Sequence, residues 1–216
     1  ALYKEYCPKL NPIQENVVNE LKNNGVASLD IGDIFPKNNP LSDLIDYIDH
    51  NGNNDKVELR KNYLHHYWYE PSSETAIIDF ENPFINLILD SKFLDIVNSY
   101  MESCSKLIYF DLAKTNPVVN GNPAIASQRW HRDSGMKKVL KAFIYLNDVD
   151  ESSGPFKYIF KSHASGPRGR LFPQKQFGRH GFYPPDGMVE KQVEKKEIKS
   201  FYGKAGTIIF CDTTGL

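Results

Sequence analysis

The stretch SQRWHRDSG, residues 127–135, holds the one position in the chain where a histidine and a carboxylate stand two residues apart: His131 and Asp133. An imidazole and a carboxylate at that spacing could bind one metal ion together. On a strand, or at its end, side chains at i and i+2 leave the same face. Spacing alone is weak ground, because 6 histidines and 27 acidic residues among 216 give about 0.75 such pairs by chance. A surface pair at a strand end is the plain alternative. Two ligands also hold iron poorly; a facial triad needs a second histidine from a distant strand and leaves the opposite face open.

Positioning such a pair requires a sheet, and the second half of the chain supplies strand-like runs. From Lys106 onward, KLIYFDLAK, SQRWHRD, VLKAFIYLND, FKYIFKSH and GTIIFCD are short, β-branched and aromatic. Clusters such as NPVVNGNP and DESSGP separate them. Runs of this kind without intervening helical periods predict an antiparallel sandwich or barrel with helices packed outside. Residues 1–105 read as mostly helical. Pro12 suits a first helical position, Ile13, Val17 and Leu21 recur every four residues, and Gly25 is a stop. Leu41, Leu44, Ile45 and Ile48 share one face before a turn at Asn51-Gly52, and residues 82–103 predict two helices hinged near Asp90-Ser91. Residues 164–200 break the strand rhythm with a long polar insertion rich in Gly and Pro, expected to be a mobile cover over the barrel mouth. No repeat and no linker divides residues 1–216, so one domain is expected.

Bulk composition narrows the function classes. Apolar residues make up 40% and aromatics 12%, enough for one well-buried core. A formal net charge of −1 gives no global basic field for nucleic acid. No apolar run approaches the ~20 residues of a membrane span. The opening ALYKEYCPKLNPIQ lacks the basic-then-apolar pattern of a secretory leader. Cys7, Cys104 and Cys211 are odd in number and far apart, which predicts neither a disulfide framework nor a zinc ribbon. A cytoplasmic setting is the expectation.

The ordered series WHRD, then KAFIYLNDVDESSGPFKYIFKSH, then AGTIIFCDTTGL resembles the phytanoyl-CoA dioxygenase family of iron(II)- and 2-oxoglutarate-dependent oxygenases. The resemblance covers roughly the last 130 residues and reaches the first 80 only in outline. It implies a double-stranded β-helix (jelly roll, cupin-like), mainly β with flanking helices. It implies Fe(II) held by His131, Asp133 and a distal histidine, with 2-oxoglutarate and O2 as cosubstrates and a small-molecule substrate. That histidine would follow Leu216 directly, with an arginine for 2-oxoglutarate further on. A sheet stopped there would leave an unpaired edge, so the barrel is expected to continue past residue 216.

For the cosubstrate, Gln128 matches a family position that faces 2-oxoglutarate, and Phe143 matches one carrying an aromatic beside the site. Lys114 and Tyr109, on KLIYFDLAK, could offer a cation or a hydroxyl to a carboxylate, against the alternative of barrel packing or a solvated strand edge. His163 matches a family histidine that is not a ligand, so a structural role is expected. His65 and His66 are adjacent, diverge in any regular element and are expected to pack among aromatics. Arg132 should point away from the metal if its neighbours point toward it. From Gly166 to Phe182 the insertion holds Arg168, Arg170, Lys175, Arg179 and His180 and no acid. Over an active site that bias would favour an anionic substrate, with Arg168, Arg179 and His180 nearest it.

Two other readings share the fold. A halogenase is disfavoured by Asp133, because chloride-binding relatives replace that carboxylate with a small residue. A non-catalytic jelly-roll binding module, one that has lost the triad, is discriminated by the residue that follows Leu216.

Overall fold

The computed structural model describes residues 2–51, 65–69, 80–108, 110, 112–115, 126–133, 138–172 and 183–216; for 65–69 and 113–115 the description is of the backbone. The first helices are α1 (Leu2–Glu5) and α2 (Pro12–Asn24). Local chemistry sets the ends of α2. The Asn11 side chain accepts the Ile13 and Gln14 amides, and Gln14 accepts the Asn11 amide in return. Such caps contribute about 1 kcal/mol. Gly25 closes the helix at φ 81°, a left-handed conformation that glycine adopts without strain. The buried face is not quite the expected one: Val17, Val18, Leu21 and Gln14 are inside, whereas Ile13 is exposed.

Strand β1 (Val26–Asp30), α3 (Ile31–Ile34) and α4 (Leu41–Asn51) follow, then β2 (His65–Tyr69). In α4, Leu44 is fully buried and Leu41, Tyr47 and Ile48 pack partly beside it. The hinge falls at Asp90, between α5 (Pro83–Leu89) and α6 (Ser91–Met101). Asp90 donates its amide to Leu87 O to end one helix, and its carboxylate accepts the Lys92 amide to start the next.

Strands β3 (Leu112–Thr115), β4 (Leu140–Ile144) and β5 (Phe156–Ile159) precede α7 (Met188–Gln192), β6 (Ile198–Phe201) and β7 (Thr207–Asp212). All pairings are antiparallel, in sheets ordered β1-β7-β4, β2-β3 and β5-β6. Strand β7 is the common wall. Its alternation sends Ile208 and Phe210 into the helical core with Val17, Leu21, Phe93 and Ile96, and sends Ile209 and Cys211 to Tyr158 and Phe201. The layers are therefore helices, three-stranded sheet, then the β5-β6 pair.

Two expectations are corrected. Helix exceeds strand among the described residues, so the chain is mixed rather than mainly β, and no closed barrel forms among them. The strands are 4–6 residues long, while the described residues among the first hundred are largely helical. The insertion at 164–200 is not a continuous loop. It carries α7 and β6, and it buries Phe172, Val189 and Val193 in a cluster with Ile159 and Leu216. Residues 173–182 lie outside the described residues. No helix among the described residues is long and apolar enough to cross a membrane.

Candidate metal centre

Residues 129–133 are not a strand: a 3-10 turn at Ala126–Gln128 leads into an irregular segment. The expected strand is absent because this segment takes its hydrogen bonds singly. The Asp133 amide donates to Thr213 O at 3.0 Å, just past the end of β7, and the Thr213 amide donates to Val139 O. His131 and Asp133 thus stand beside the chain as it leaves β7 toward Leu216.

The half-buried His131 ring is oriented by the backbone: its Nδ1 lies 2.8 Å from Arg129 O, and a carbonyl only accepts, so Nδ1 carries a proton and Nε2 is the nitrogen left for a ligand. Tyr183 stacks on the ring, with centroids 5.6 Å apart. On the same stretch, Arg129 reaches Asp186 at 2.9 Å and lies over the Tyr183 ring, while the Trp130 indole N–H donates to Glu190 at 2.9 Å. Exposed pairs like these contribute at most about 1 kcal/mol. Burial of Val189 and Val193, at roughly 1.5–3 kcal/mol each, is what holds 183–193 down. The polar contacts set where it sits.

Asp133 meets a cation. Lys141 on β4 places its ammonium 2.7 Å from Asp133 Oδ2. Burial pushes the Asp133 carboxyl up, but Lys141, the Thr213 side chain and the nearby His131 together hold it below the ordinary carboxylate range. It is an anion at neutral pH.

Arg132 points away from that anion and is buried. Its guanidinium donates to Ser162 O and Leu171 O at 2.8 Å each, and to Thr214 O. Asp212 lies nearby, accepting the Tyr100 hydroxyl from α6 at 2.5 Å and both the amide and the hydroxyl of Thr214. One polar network thus runs from the helical layer through the end of β7 to the segment between His131 and Asp133.

The other sequence candidates are dispersed. Gln128 is half-buried at the end of the 3-10 turn. Phe143, 38% exposed, lies two residues after Lys141, with its ring 4.8 Å from that of Phe156. Lys114 pairs with His66 across β2-β3. Arg168 is engaged by Glu197, from beyond the acid-free stretch, and donates to Phe160 O. Tyr109, Arg179 and His180 lie outside the described residues. Sequence reasoning missed Lys141 and Tyr183. Lys141 did leave a signal, as the one charge inside the apolar run VLKAFIYL. Among the described residues, no group of three or more His, Cys, Asp or Glu comes together.

His163 is 1% exposed and packs on Gly25, where a Cβ would stand 2.6 Å from its Nδ1. Burial pulls its pKa below 6.5, while Asp212 and the Lys22 backbone oppose this and Lys138 reinforces it. The unfolded chain then binds the extra proton first. The stability His163 contributes is complete above pH ~6.5 and is lost as pH falls below that value. Urea midpoints for wild type should drop more steeply between pH 7.5 and 5.5 than those of His163→Gln. Parallel slopes would mean that the ring titrates alike in both states.

Comparison with protein-family models and with curated proteins returns no match.

Proposed function

We propose that this chain is a non-haem Fe(II)- and 2-oxoglutarate-dependent dioxygenase on a double-stranded β-helix frame, hydroxylating a small anionic organic substrate. The observation that carries the reading is the Asp133 amide on Thr213 O at 3.0 Å. It sets the His131-x-Asp133 pair against the segment after which the family resemblance places the distal histidine.

The donor set suits a divalent cation. His131 offers Nε2, with Nδ1 held by Arg129 O, and outer partners of this kind orient metal-bound histidines. Asp133 is ionised and already faces a positive charge. Iron held by His131, Asp133 and a further ligand would supply the oxidative chemistry that couples 2-oxoglutarate decarboxylation to substrate hydroxylation. The chain's own residues orient and shield. Tyr183 covers a face of the imidazole, and the Phe143-Phe156 pair gives an apolar wall on the strand that carries Lys141. Asp133 would occupy the position that chloride-binding relatives leave to the halide, which favours hydroxylation over halogenation.

A second reading draws on the Asp133-Lys141 pair itself, which in a non-catalytic binding module would be a permanent ion pair. One measurement separates the two. Full-length protein given Fe(II) and 2-oxoglutarate without oxygen should develop the visible charge-transfer band of the chelate. A well-folded sample that stays colourless would favour the binding module.

A further inference from the structure

Resting on the dioxygenase reading, we propose that Lys141 is an exchangeable counter-ion: it neutralises Asp133 while the metal is absent, gives way to the metal, and then anchors a carboxylate of the 2-oxo acid.

The geometry makes the exchange necessary. The ammonium stands 2.7 Å from Asp133 Oδ2, an oxygen shielded from solvent, with both side chains less than one-third exposed. A divalent cation on that carboxylate cannot share the position with an ammonium, since like charges at such range repel strongly in a partly desolvated site. Lys141 cannot leave the neighbourhood either. Its backbone is fixed in β4 opposite Cys211 of β7, so only its flexible stem can swing. The displaced ammonium remains within a side-chain length of the metal. A dicarboxylate arriving there meets a cation already desolvated, with its stem ordered. Two opposite effects on affinity follow from one side chain. Lys141 opposes the first ligand and favours the second, which a purely structural ion pair would not do.

The test uses Co(II), which binds without oxygen chemistry, and 2-oxoglutarate, in full-length protein followed by calorimetry. Lys141→Met should bind Co(II) about tenfold tighter than wild type, the scale of one charged hydrogen bond. The Co(II)-loaded variant should then bind 2-oxoglutarate about tenfold more weakly. Lys141→Arg keeps the charge and should stay within a few-fold of wild type in both steps, which guards against misfolding as the cause. His131→Ala identifies the site. Cobalt binding that survives His131→Ala, or is absent from wild type, overturns the dioxygenase reading and this inference with it. Binding abolished by His131→Ala, together with unchanged affinities for both ligands in Lys141→Met, overturns the role of Lys141 alone.

Discussion

His131→Ala and Asp133→Ala should each weaken Co(II) binding by more than about a hundredfold and abolish succinate formation from 2-oxoglutarate. Outer partners of metal ligands alone are worth roughly 10–100-fold, and these two positions would be ligands themselves. The fold should tolerate both changes. His131 is half-buried and makes one hydrogen bond, to Arg129 O. Asp133→Ala keeps the amide bond to Thr213 O, which belongs to the backbone. Its cost is the loss of the Lys141 ion pair, and the Lys141 side chain, at 30% exposure, is already in contact with water. Thermal midpoints close to wild type, with metal binding gone, are therefore the expected pair of results. Retention of cobalt affinity in either variant would remove that residue from the metal centre.

The second large effect is on stability. Arg132→Met should cost about 3–5 kcal/mol, the range for breaking a buried charged network. The side chain is 6% exposed and gives its donors to carbonyls at 162, 171 and 214, in two segments far apart in sequence. Methionine fills the volume but leaves those carbonyls unpaired and strips Asp212 of a neighbouring positive charge. Lysine should recover only part of the loss, because a single ammonium cannot reproduce the guanidinium fork. By contrast Arg129→Met, which breaks an exposed pair with Asp186, should cost no more than about 1 kcal/mol. Denaturant midpoints at neutral pH decide between the two outcomes. A cost for Arg132→Met as small as that for Arg129→Met would mean that the three carbonyls find water or other donors.

How far these features could be read from sequence follows from the range of the contacts involved. Helix α2 was legible because its signals are local: Asn11 and Pro12 at one end, Gly25 at the other. The Asp90 hinge was legible for the same reason. Strand β7 announces itself as an apolar run because both its faces are covered. Strand β4, an edge strand among the described residues with Ala142 and Phe143 exposed, is legible from its β-branched and aromatic residues. Strand β6, IKSF, was swallowed by the polar insertion because its partner in β5 lies some forty residues earlier. The pair His131 and Asp133 was visible as spacing, yet the strand assigned to it was wrong: a single bond to Thr213, eighty residues on, replaces the ladder. Arg132 does lie away from Asp133, but the segment is not a strand, so its direction follows from the carbonyls at 162, 171 and 214 rather than from alternation. The ion pair of Lys141 with Asp133 likewise depends on β4 lying alongside the 131–133 segment, which no local pattern encodes.

The bond from Tyr100 to Asp212 gives a buried ring on the helical layer a second duty beside packing. Packing alone would accept phenylalanine at position 100, where the ring is buried among apolar neighbours. The hydroxyl, however, satisfies a carboxylate that also receives the Thr214 amide and hydroxyl, and Thr214 O in turn receives Arg132. The energetic effect of a change at 100 is thereby tied to the residue at 212, and through 214 to position 132. The four sites form one coupled unit, although they are spread over more than a hundred residues of chain.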